Sequence, residues 1–101
     1  MRKEKLTKAA ILLLKSLIKT PSFSSEEYET ALLIESWFKD SDITFNRTNN
    51  NIWATNKYFD DTKPTLLLNS HHDTVKPTYG YTKDPFEPII NAGKLYGLGS
   101  N

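Results

Sequence analysis

The feature that most constrains this chain is a short unbroken apolar run, Leu66, Leu67 and Leu68, which follows Pro64 and opens directly onto Asn69, Ser70, His71, His72 and Asp73. A strand without polar alternation fits a position in the middle of a sheet, covered on both faces. The rest of the chain must then supply helices and further strands around it. The expected class is therefore α/β, with two amino-terminal helices packed on a mixed sheet.

The helices are legible from periodicity. Over residues 6–19 the apolar positions Leu6, Ala10, Leu13, Leu14, Leu17 and Ile18 recur at intervals of three and four, while Lys8, Lys15 and Lys19 take the other face. Thr20-Pro21 ends the helix, because the residue before proline is pushed out of the α region. Ser24-Ser25-Glu26-Glu27 offers a capping box, and a second helix is expected over about 25–39 with Tyr28, Ala31, Leu32, Ile34, Trp37 and Phe38 as its apolar stripe.

Strand signals follow. Residues 43–47 and 52–55 alternate with period two around Asn49-Asn50-Asn51, and asparagine tolerates the left-handed conformation of tight turns, so a hairpin is expected. Residues 57–63 read as a polar loop. Residues 76–88, with Pro77, Pro85, Pro88 and Gly80, read as an ordered loop, and 89–96 as a second hairpin turning at Gly93.

Composition narrows the function classes. The chain has no cysteine, so any metal must be held by imidazole and carboxylate groups. A formal net charge of +1 gives no field that argues for nucleic acid or a membrane surface. The basic start and the apolar run of residues 9–14 do not make a signal peptide, because lysines interrupt the run at helical spacing and no small-residue cleavage site follows. The run also falls well short of the roughly 20 apolar residues of a membrane span. The expectation is a cytoplasmic protein.

The chemistry is concentrated just after the apolar run. In open α/β sheets, catalytic groups gather beyond the carboxyl ends of strands, and that is where His71, His72 and Asp73 stand. In an extended chain, His71 and Asp73 share a face and His72 projects to the other. A carboxylate two residues from a histidine can take the second ring hydrogen of a metal-ligating imidazole. From spacing alone, a hydrogen-bonded strand terminus with no metal accounts for the three residues at least as well.

Three motifs carry a resemblance. They are Ser70-His71-His72-Asp73-Thr74-Val75 followed by Pro77, then Tyr81-Thr82-Lys83-Asp84-Pro85-Phe86, then Gly93-Lys94-Leu95-Tyr96-Gly97-Leu98-Gly99-Ser100. In this order and spacing the chain resembles the acetylornithine deacetylase and succinyl-diaminopimelate desuccinylase family of metallopeptidases. The resemblance covers essentially all 101 residues. It implies the amino-terminal part of a zinc-exopeptidase-like catalytic domain, without the dimerisation domain.

It further implies that His71 is a metal ligand and that Asp73 is the catalytic-site aspartate orienting it. His72 falls on the family's variable middle position. The implied parent enzyme uses two zinc ions, or cobalt, to lower the pKa of a water towards about 7 for attack on an amide. Its implied substrate is a small N-acyl amino acid, N-acetylornithine foremost. A dipeptidase or carboxypeptidase of the same family, or a non-catalytic structural piece, stays open. The bridging aspartate is expected one residue beyond Asn101, so this stretch by itself is expected to be inactive and to hold at most one weak metal. The resemblance leaves room for a homodimer of the full-length protein and gives no role to nucleic acid or membrane.

Overall fold

The first helix, α1 (Arg2–Lys19), starts earlier than the apolar periodicity indicates. Arg2, Lys3, Glu4 and Lys5 are good helix formers and extend it without contributing to the buried face. The structure, a computed structural model, describes residues 2–98. Met1 and residues 99–101, including the Gly99-Ser100 end of the third motif, lie outside the described residues.

The second helix, α2 (Tyr28–Asp40), starts later than expected. The Glu26 amide donates to the Phe23 carbonyl at 2.7 Å, and Ser25 adopts a left-handed φ of 69°. This turn delays the helix, so Glu27 occupies the cap position and the expected capping box does not form. Part of its logic survives, because the Glu27 carboxylate reaches back to accept from the Ser25 amide at 2.7 Å.

Two hairpins follow. Strands β1 (Asn46–Thr48) and β2 (Asn51–Trp53) pair antiparallel, with Thr48 opposite Asn51, so Asn49 and Asn50 form the turn and Asn49 takes a φ of 55°. Strands β3 (Ile89–Asn91) and β4 (Lys94–Tyr96) pair around Ala92 and Gly93, both at positive φ. Successive positive φ values are what a tight two-residue hairpin turn demands. Both hairpins were legible from the sequence, though the strands of the first are shorter than its alternation indicates.

The content is thus mixed α/β, but the sheet differs from the expected one. The hairpins are two separate antiparallel sheets. Residues 65–69 form no ladder, and Leu66, Leu67 and Leu68 are 83%, 79% and 87% exposed. An unbroken apolar run signals a need for cover on both faces, and the described strands spend their ladder bonds within their own hairpins. Parallel pairing appears beyond the run, as a single bridge between Phe23 and Thr74 in which the Thr74 amide donates to the Ser22 carbonyl at 2.7 Å.

The core lies where α1 ends and α2 begins. Ile18 and Ala31 are its buried apolar residues among those described, and Ser22 and Thr30 are buried beside them. Aromatic contacts extend it. Phe38 stacks on Phe45 at 5.6 Å and meets Trp37 edge-on at 5.8 Å, while Phe86 of the proline-rich loop packs on Phe23 at 6.2 Å. No helix among the described residues is long and apolar enough to cross a membrane.

Arg47 joins the first hairpin to α2. Its guanidinium donates to Glu35 at 2.7 Å and to the Asn49 carbonyl at 2.7 Å, and it lies 5.3 Å from the centre of the Tyr28 ring. Hydrogen bonds from Arg47 and then Lys39 hold the Glu35 carboxyl below its ordinary value of 4.5. The folded chain therefore binds fewer protons here than the unfolded one. This contribution to stability is fully present above pH 4.5 and is lost as the pH falls through the lower folded value. Glu35→Gln is expected to flatten the acid limb of a plot of thermal midpoint against pH. An unchanged limb would show that the pair contributes nothing measurable.

Candidate metal-ligand site

The site is built on residues 70–74, which run between α2, the first hairpin and the Ser22 bridge. Alternation along this segment sends its side chains in two directions. On one side His71 Nδ1 lies 2.7 Å from the Asp73 carboxylate and 3.1 Å from the Asp73 carbonyl oxygen. Both partners can only accept, so Nδ1 carries the proton. Nε2 is then the nitrogen whose lone pair is left to coordinate. The His71 side chain is 81% exposed and that of Asp73 34%.

The charge on Asp73 is stabilised in place. The hydrogen bond with His71 holds its carboxyl below the usual carboxylate value, with the Ser24 hydroxyl acting in the same direction, against the opposing effect of partial burial. Ser24, which the sequence pattern suggests as a helix cap, thus acts on the site aspartate instead. An influence across 49 positions leaves no local signal in the sequence.

His72 turns the other way. Its Nδ1 lies 2.7 Å from the Thr30 hydroxyl and its Nε2 2.9 Å from the Asn50 carbonyl oxygen. Both ring nitrogens are engaged, so His72 is not poised to bind a metal. The residues that hold it, Thr30 and Asn50, carry no motif and come into view only in three dimensions.

Segment 70–73 forms a wall between two clefts. One, of about 340 Å³, is lined by Glu27, Asn50 and Trp53 together with His71, His72 and Asp73. The other, of about 380 Å³, lies towards Leu14, Leu17, Ser22 and Leu98. Glu27, engaged by the Ser25 amide and by Asn50 Nδ2 at 3.1 Å, borders the first cleft and was not expected there from its sequence context. Among the described residues no group of three or more histidines or carboxylates could hold a metal ion. The His71 and Asp73 arrangement fits one oriented ligand of a metal centre, not a complete centre.

Comparison with known proteins bears on this geometry. Over 103 aligned residues, covering 89% of this chain, the sequence is 36% identical to acetylornithine deacetylase of Buchnera aphidicola subsp. Schizaphis graminum. This chain is a relative of acetylornithine deacetylase. The alignment covers 26% of that deacetylase, so the chain spans about a quarter of its length. The resemblance read from the three motifs is thereby shown. No family model matches the chain.

Proposed function

We propose that this chain is the amino-terminal part of a metal-dependent amidohydrolase that removes the acyl group from an N-acyl amino acid, N-acetylornithine foremost, in arginine biosynthesis. The observation that carries the reading is the 2.7 Å pair of His71 Nδ1 and Asp73, in a chain related to acetylornithine deacetylase. A carboxylate behind an outward-facing imidazole is the arrangement that makes histidine a good metal ligand. The reading includes a pair of zinc or cobalt ions in the full-length protein, a cytoplasmic location, and a homodimer of the complete chain.

In this reading each residue has a limited task. Asp73 keeps the proton on His71 Nδ1, fixes the ring and raises the basicity of Nε2. Ser24 helps to hold the Asp73 charge. The cleft beside them, at about 340 Å³, lies at the lower end of the usual range for small-molecule sites and suits a small acyl amino acid. Bound metal supplies Lewis-acid activation of a water and of the amide carbonyl. One oriented ligand does not make a catalytic centre, which commonly needs three. The 101 residues by themselves are therefore expected to bind metal weakly and to release no acetate.

The test is a substrate panel on the full-length protein, with N-acetylornithine, other N-acyl amino acids and dipeptides assayed with zinc or cobalt. The reading predicts acyl release that is lost on chelation and on His71→Ala. Turnover of dipeptides alone would favour a peptidase of the same family, and undiminished turnover in the His71 variant would overturn the assignment.

A further inference from the structure

We infer that His72 is a positioning residue, whose ring, held between Thr30 of α2 and the Asn50 carbonyl of the first hairpin, fixes the direction in which His71 and Asp73 face. The inference rests on the proposed metal-ligand role of His71 for its purpose, and on the geometry of His72 for its substance.

The donor and acceptor types assign the proton. The Asn50 carbonyl oxygen can only accept, so Nε2 of His72 carries the hydrogen. In the neutral ring Nδ1 is then an acceptor and receives the Thr30 hydroxyl, 2.7 Å away. Thr30 is fully buried in the first turn of α2, and with its one hydroxyl hydrogen directed at Nδ1, the Glu27 carbonyl oxygen 3.1 Å from Oγ1 takes only the weaker arm of a shared bond, so Thr30 itself ties the ring to α2. The two adjacent histidines are therefore in opposite tautomers. His71 carries its proton on Nδ1, facing Asp73, and His72 carries its proton on Nε2, facing Asn50.

The coupling follows from backbone alternation. His72 is the single side chain of the triplet that reaches both α2 and the first hairpin. Anchoring its ring at two points fixes the backbone between Ser70 and Asp73, and residues 71 and 73 then share the opposite side. Freed of that anchor, the 81% exposed His71 has little else to hold its ring against Asp73. Thr74 secures the far end of the segment through its bond to Ser22, but that bond does not set the direction of His71.

The test uses the 101-residue chain with ¹⁵N-labelled histidine, reading each ring's tautomer from long-range ¹H–¹⁵N correlations with the imidazoles neutral, and then titrating Co²⁺. The wild type should show His71 as the Nδ1–H form and His72 as the Nε2–H form. In His72→Ala, with an unchanged circular dichroism spectrum, His71 should lose its Nδ1–H preference and Co²⁺ affinity should fall by about tenfold. His72→Asn, whose amide falls at the position of Nδ1 and can keep the Thr30 contact, should restore part of both.

A folded His72→Ala chain in which His71 keeps its tautomer overturns the inference, as does an Asn variant that behaves like the Ala variant. Should His72→Ala not fold, Thr30→Val decides in its place. Loss of the His71 tautomer there supports the anchor, and its retention overturns it. Failure of the wild type to bind Co²⁺ at His71 would count against the metal reading alone, because the tautomer comparison needs no metal.

Discussion

Asp73→Asn is expected to leave the fold intact and to weaken metal binding at His71 of the full-length protein by about 10 to 100-fold. The substitution keeps the shape of the side chain and an oxygen that can accept from His71 Nδ1, 2.7 Å away in the native chain. What it removes is the charge that raises the basicity of the ring. The partly exposed carboxylate bonds to His71 and takes no part in the Ile18 and Ala31 core, so little folding stability depends on it. Isothermal titration with zinc, alongside circular dichroism of both proteins, checks this. Equal affinity in the two proteins would remove Asp73 from the site, and an unfolded variant would make it a structural residue.

Gly97→Ala is expected to destabilise the chain by about 1–3 kcal/mol, the usual range for overpacking. A Cβ at this position would stand 2.6 Å from both Cδ1 and Cγ1 of Ile18 and 3.0 Å from its Cγ2. Such contacts cannot persist, and Ile18 has little room to yield. It is branched at Cβ and stiff at χ1, and it is 7% exposed at the end of α1. The glycine is thus required for close approach of β4's exit to α1. The measurement is urea unfolding of the single variants and of Gly97→Ala combined with Ile18→Ala. The new methyl should cost much less when Ile18 is already truncated, and full additivity would contradict the clash.

How far the sequence can be read depends on how local the cause is. Helix periodicity is local, so α1 and α2 were legible, with errors confined to their starts. The turn chemistry of Asn49, Asn50 and Gly93 is local too, and both hairpins fall where it places them. The spacing of His71 and Asp73 on a common side follows from alternation along three residues. The apolar run at Leu66, Leu67 and Leu68 is exposed where its pattern indicates a covered strand, because periodicity states what a segment would bury and not what stands beside it. The partners of the site were illegible for the same reason. Ser24, Thr30 and Asn50 bear on it across 22 to 49 positions, and the packing of Gly97 against Ile18 spans the whole fold and leaves no local pattern.

The proposed role of His71, a metal ligand held by Asp73 within a stretch that is not itself a complete centre, is open to direct measurement. Its most direct test is a Co²⁺ titration of the purified 101-residue chain and its His71→Ala variant, followed by paramagnetic broadening of assigned amide and imidazole signals, with acetate release from N-acetylornithine assayed on the same samples. Weak binding is expected that broadens His71 and Asp73 first, disappears in the variant, and is accompanied by no acetate above a metal-only blank. Binding that survives His71→Ala, or turnover by the chain alone, would contradict it.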